Sequence, residues 1–479
     1  MSHGRRREQG ARGAGRRVVE RARGGRGGAG RRPGRRVRPG LAADDLVPAR
    51  HRGLLRPGAG LREPGAGPSP VGVAVRLVRA AAGTGRVTAV VLGTFDAERW
   101  WRPADLATLP AAAAADGAAE SMDELLAGFC APGDLLVTRR PVAPAVVSGL
   151  AARGITFRQH ACPVPAAGTM ESALLGSALL RSHAEFRPYA VLPDTVRLDW
   201  TDGLPPSPVV AEVNSKSWSN DLALELGLPG TGTVVRSVEE LTAAVDGTVV
   251  VKDPYGVSGR AMLEVATPGV LRAVTRTLAR QDRRIELLVQ PKFEKRLDFS
   301  GHLEVFRDGG WEFLGVQAMN NRGFRHIGSA PPSVELLDLV ERSGYVEVLG
   351  SVAKAVSAAG YWGPVGVDSM VLADGTVVPV LEINARRSLG LLSLLLARRM
   401  PGFRLWQLEL RVPEGLGVED VVAALPWPEV IVLSGSGLAA PGGRVYLGLV
   451  TDDVRRLQDA VVAALTAAGL VPRGVADAA

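Results

Sequence analysis

Val365-Gly366-Val367-Asp368-Ser369-Met370, followed shortly by Leu381-Glu382-Ile383-Asn384-Ala385-Arg386-Arg387, is the stretch on which the fold turns. Asp374-Gly375 between them is a strong turn signal, so Val365 to Val371 and Val377 to Ile383 read as an antiparallel hairpin. Glu382 and Asn384 are two residues apart and share a face of their strand, and Asp368 on the neighbouring strand can join them. Two carboxylates and an amide oxygen make a hard site suited to Mg²⁺ bridging nucleotide phosphates. Acids among Val, Ile and Leu are costly unless paired, coordinated or turned to solvent. A solvated outward face is the competing reading, disfavoured by Gly363-Pro364 and the Arg pair that flank the hairpin.

Upstream stands Val249-Val250-Val251-Lys252-Asp253-Pro254-Tyr255-Gly256-Val257-Ser258-Gly259-Arg260-Ala261-Met262. A lysine ending a buried strand, then a loop with two glycines and a serine, can set its ammonium on phosphate oxygens while backbone N–H groups close over them. The loop joins two strands, Thr248 to Lys252 and Ala261 to Val265, and so is not a strand-to-helix Walker loop; an ordinary hairpin loop is the alternative. Residue usage points the same way. The chain holds 52 Arg but only 5 Lys and 5 Asn. Nine of those ten sit in candidate site segments: Asn214, Lys216 and Asn220; Lys252; Lys292 and Lys295; Asn320 and Asn321; Asn384. Lys354, on a helix, is the exception. Lysine gives a compact ammonium and asparagine a neutral oxygen that arginine cannot replace.

Working outward, 479 residues exceed one ordinary core, and the pattern is α/β. Runs at Val71 to Arg79, Val87 to Phe95, Asp134 to Thr138 and Thr156 to His160 read as strands, with a helix at Val142 to Arg153, so residues 66–208 form a first α/β domain. Residues 209–400 form the central domain. Its elements include a helix from Ser219 to Leu226, a helix after the capping box of Ser237 and Glu240, another at Val270 to Gln281, and helices Val334 to Ser343 and Val346 to Ala359. Residues 401–479 read as a small C-terminal α/β extension. Residues 1–65 hold 18 Arg, no Lys and five acids, a charge of +13, whereas the remaining 414 residues hold 39 basic and 44 acidic residues, a charge of −5. The net +8 therefore belongs to an Arg/Gly-rich tail that reads as disordered, or as the product of a start site placed too early in GC-rich DNA. Without interleaved aromatics it does not argue for nucleic acid. No signal peptide or membrane span is visible, and Leu389 to Ala397 reads as a buried helix, so a cytoplasmic enzyme without membrane partners is expected. Cys130 and Cys162 have no metal spacing and read as small buried hydrophobes of a reducing compartment.

Lys252 with its Gly/Ser loop, Leu287-Leu288-Val289-Gln290-Pro291-Lys292-Phe293, and the Asp368 to Arg386 hairpin occur in the order of ATP-grasp enzymes, and residues 210 to 390 resemble that superfamily. The first domain is then similar to a pre-ATP-grasp domain. The resemblance implies that Lys216 and Lys252 hold nucleotide phosphates, with Gly256, Ser258, Gly259 and Arg260 forming the loop over them. It implies that Gln290, Lys292 and Phe293 bracket adenine, though the family more often has Glu where Gln290 stands, and that Asp298 binds ribose. Asp368, Glu382 and Asn384 resemble the metal ligands for two Mg²⁺ ions, with Mn²⁺ as an alternative, and Arg386 the arginine that steadies an acyl phosphate. Gly366 stands where D-alanine:D-alanine ligase has an arginine; Arg322 or Arg325 would take that role, unless their segment, ending in His326, is a substrate loop. His326 reads more readily as structural than as a base.

The function implied is ADP-forming ligation: ATP activates a small carboxylate, such as an amino acid, as an acyl phosphate, and an amine displaces phosphate to give an amide or peptide bond in natural-product biosynthesis. The alternative acceptor is a carrier-protein thiol, with glutamate loaded onto an acyl carrier protein. A homodimer is a common state of such ligases. Nucleotide binding without turnover is a further reading, against which the complete acid and amide set argues.

Overall fold

The computed structural model describes residues 88–110, 122–165, 168–180, 183–256 and 261–474. The expected strand Val71 to Arg79, the tail 1–65 and loop residues Ser258, Gly259 and Arg260 lie outside them.

Strands β1 (Ala89–Leu92), β2 (Leu135–Thr138), β3 (Arg158–Ala161) and β4 (Glu185–Pro188) form a parallel sheet in the order β3-β2-β1-β4. The runs AVVL and LLVT are wholly buried, as expected of parallel strands covered on both faces. The segments leaving β1 and β4 touch because Gly93 has no side chain; a Cβ there would lie 2.3 Å from that of Tyr189. Phe95 and Tyr189 consequently stack, with ring centroids 4.1 Å apart and planes 22° from parallel.

A second, antiparallel sheet runs β5-β8-β6-β7, from β5 (Thr233–Val235), β6 (Val249–Lys252), β7 (Met262–Val265) and β8 (Leu287–Pro291). Helices Val238–Ala244 and Pro268–Ala279 cover it through Leu241, Val274 and Leu278. The expected cap is present, the Ser237 hydroxyl accepting from the Glu240 N–H at 3.0 Å.

The remaining strands make one nine-stranded sheet: β9 (Lys295–Val305), β10 (Trp311–Arg322), β11 (Arg325–Ala330), β12 (Gly363–Leu372), β13 (Val377–Asn384), β14 (Phe403–Arg411), β15 (Val430–Ser434), β16 (Gly442–Val450) and β17 (Val471–Arg473). Its order is β13-β12-β9-β10-β11-β14-β16-β15, with β17 pairing to β14, so the strands after residue 400 continue the sheet that holds the Asp368 hairpin. Alternation decides what faces the site. Phe299, Gly301 and Leu303 of β9 point towards helix Tyr345–Ala358, where Phe299 lies 5.0 Å from the Tyr345 ring and a Cβ on Gly301 would come within 2.5 Å of the Tyr345 hydroxyl oxygen. Asp298, Ser300 and His302 therefore emerge on the other face, beside helix Leu389–Arg399. No helix among the described residues is long and apolar enough to cross a membrane.

Candidate functional site

A cavity of about 430 Å³ opens between the three sheets. Its floor is the polar face of β9, β12 and β13. Asp368 and Glu382 are cross-strand partners, and Asn384 pairs with Gly366 two steps along, so the register puts all three side chains on one patch. Asn384 donates from Nδ2 to Asp368 Oδ2 at 3.2 Å. Burial, reinforced by the charge of Glu382, pushes the Asp368 carboxyl up to about 7. Glu382 is answered by Lys216, whose Nζ lies 2.8 Å from Oε1 and also donates to the Gly256 carbonyl at 2.6 Å. Two facing carboxylates with one buried ammonium and an amide fit a hard divalent cation, because a cation between them would offset both the burial and the mutual repulsion that raise Asp368. Among the described residues no group of three His, Cys, Asp or Glu gathers as a metal site, so the set here is two carboxylates and an amide.

The second sheet provides the wall opposite. Lys252 ends β6 and lines the cavity with Gly256, Gln290, Lys292 and Phe293. Burial brings the Lys252 ammonium down to about 8, partly offset by Glu382, so it stays mainly charged at neutral pH. Gln290 donates to the Gly230 carbonyl at 2.7 Å and leaves its buried Oε1 without a partner, an acceptor oriented by its own amide. Lys292 pairs with Glu264 at 2.8 Å. Asp298 also lines the cavity, held by Lys295 and by Asn321 Nδ2 at 2.7 Å.

At the far end of the hairpin Arg386 turns towards the first sheet. Its Nη1 donates to Asn384 Oδ1 at 2.6 Å and Asn214 Oδ1 at 3.1 Å, while Nη2 meets Glu98 of helix Ala97–Trp101. Although burial alone would lower it, the Glu98 carboxylate and the Tyr189 hydroxyl hold the guanidinium above its ordinary value. Arg387 ties the same sheets together, its N–H donating to the Tyr189 carbonyl at 3.0 Å and its Nη1 to that of Pro188 at 2.6 Å.

The structure thus gathers Lys252, Gly256, Gln290, Lys292, Phe293, Asp298, Asp368, Glu382, Asn384 and Arg386 around one cavity, with Lys216 behind Glu382. Arg322 and Arg325 are not among its lining. They flank the β10–β11 turn, whose tip residues Gly323 and Phe324 face the cavity, and the two arginines sit in a separate small pocket where Arg325 pairs with Glu409. His326 lines the cavity, its Nε2 2.9 Å from the Ser329 hydroxyl and its imidazole brought down to about 4 by burial, hence neutral. Asn214 and Asn220, singled out by residue usage, bracket backbone: Asn214 spans Ala385 and Asn220 spans Gly232. Reading the sequence missed Phe95, Glu98 and Tyr189, which sit in ordinary-looking segments and reach the site only through the packing of the first sheet.

No family model matches the sequence. The architecture is that of an ATP-grasp fold. Of solved structures, N5-carboxyaminoimidazole synthetase from Staphylococcus aureus, complexed with ADP, superposes with a TM-score of 0.50 over 79% of this chain and 96% of that one, at 11% identity. Among curated proteins, the [butirosin acyl-carrier protein]–L-glutamate ligase of Niallia circulans is 26% identical over 150 residues, 31% of this chain. The match spans 35% of that relative's length.

Proposed function

We propose that the protein is an ATP- and Mg²⁺-dependent ligase that activates a carboxylate as an acyl phosphate and passes the acyl group to an amine. The observation that carries this is the opposition, across one cavity, of Lys252 and Gly256 to the half-buried pair Asp368 and Glu382. In this reading Lys252 sets its charge on the nucleotide phosphates, and the hinge at Gln290, Lys292 and Phe293 receives the base, with the free Gln290 Oε1 accepting from an exocyclic amine. Asp298 takes the ribose hydroxyls. Asp368, Glu382 and Asn384 would hold two Mg²⁺ ions, which when bound neutralise the charge on the transferring phosphoryl group. Arg386, fixed by Glu98 and Asn214, keeps its charge beside the place where the acyl phosphate forms. Such positioning and charge stabilisation need no nucleophilic side chain.

An acceptor thiol on a carrier protein is the second reading, favoured by what the Niallia circulans relative is named for. Incubating the chain with Mg²⁺, ATP and a panel of carboxylic acids, with and without amines, tests the proposal through ADP formation. ADP released only when acid is present is the expected result; ADP independent of every acid contradicts it. A carrier protein that gains the mass of the acid would assign the thiol acceptor, and an amide product the amine.

A further inference from the structure

The part of the cavity next to Arg386 has a wall whose chemistry is specific. Phe95 and Tyr189 stack at 4.1 Å and both line the cavity; the Tyr189 hydroxyl lies near Arg386, the Tyr189 carbonyl accepts from the Arg387 N–H at 3.0 Å, and the bare Gly93 lets the two segments close up. Met122 and Leu389 also line the cavity, and Met319 and Phe324 of the β10–β11 hairpin extend the apolar lining further along it, Phe324 standing 38% exposed at the tip. The lining adds the hydroxyls of Ser300 and Ser388 and the His326 imidazole that burial keeps uncharged at neutral pH, while the charged Asp298 beside Met319 is already paired with Lys295. The guanidinium of Arg386 already faces Glu98, so its charge is balanced within the protein. A rigid aromatic pair with an apolar surround favours an apolar body and penalises a second carboxylate, which would lose its water against hydrocarbon.

We infer that the acid this cavity activates carries an apolar, preferentially aromatic, body seated against Phe95 and Tyr189, and that these two residues set the choice of acid. The inference rests on the ligase reading and narrows it. It departs from the acidic amino acid named for the Niallia circulans relative.

The test is ADP formation by the full-length chain with Mg²⁺, ATP and hydroxylamine, which traps acyl phosphates as hydroxamates, across 3-phenylpropanoate, phenylalanine, leucine, glutamate and aspartate. Aromatic acids are expected to exceed glutamate and aspartate by at least about 10-fold in kcat/KM. Glutamate or aspartate as the best acid overturns the inference while leaving the ligase standing. A panel in which no acid stimulates ADP formation overturns the ligase reading, and this inference with it. Phe95→Leu and Phe95→Ala should each shrink the preference for aromatic over acidic substrates by about 10-fold, mainly through KM, with ADP affinity by calorimetry unchanged. The leucine variant keeps the core filled, so an unaltered preference in folded Phe95→Leu protein would also overturn the assignment.

Discussion

Burial raises carboxylates both around the first sheet and in the Asp368 hairpin, and of these two regions only the hairpin is built like a reaction site. Around the first sheet Glu171 accepts from the Thr94 hydroxyl at 2.6 Å, Glu124 from the N–H groups of Gly435 and Ser436 at 3.1 and 3.2 Å, and Asp123 from the Arg139 N–H at 2.5 Å. Burial raises Glu171 and Glu124 to about 7 and Asp123 to about 6, much as it raises Asp368 to about 7. A raised value is therefore no mark of function by itself. What separates Asp368 is that a second acid stands directly across the strand pair and that both open into a cavity with Lys252 on its other wall. The first group is satisfied within the packing of the protein; the second is the pair that the proposed function assigns to a cation.

The comparison breaks most visibly at the floor. Glu382→Gln and Lys252→Ala should each lower ADP formation by on the order of 1,000-fold while leaving a cooperative thermal transition. Full activity in either folded variant would remove the distinction. Glu171→Gln should do the reverse, sparing turnover and changing stability. The folded value of Glu171 is raised above that of a free carboxyl, so its contribution is present below about 4.5 and lost as pH rises through about 7. The glutamine variant should thus gain on wild type between pH 5 and pH 8, by up to about 3 kcal/mol, in melts across that range. A gap that does not change with pH would show Glu171 to be ionised as an ordinary acid. The smallest effect belongs to Arg325→Ala: its exposed pairing with Glu409 lies outside the cavity, so stability should move by less than about 1 kcal/mol and kcat/KM by less than about 2-fold. A large kinetic loss there would return Arg325 to the reaction.

Much of the site was legible because its signals are local. Asp374-Gly375 fixed the hairpin turn, with Gly375 at φ +89°, and the two-residue period then put Asp368, Glu382 and Asn384 on one face. Lys252 was visible as a charge ending the run Val249-Val250-Val251. The arginines of the β10–β11 turn show the limit of such local signals. A basic segment near a site reads as part of it, whereas the tip presents Gly323 and Phe324 to the cavity and leaves Arg322 and Arg325 in the pocket with Glu409.

By itself, then, the sequence determined many of the strands and turns, the polar face of the hairpin and the residues on which the proposed chemistry rests, since each depends on residues within a few positions of one another. Tertiary structure alone decided that strands after residue 400 join the same sheet, that Glu98 meets Arg386 across 288 positions of chain, and that Phe95 and Tyr189 close the cavity. Those contacts come from the docking of separately formed layers, and no periodicity or spacing along the chain encodes which surfaces of two layers will meet.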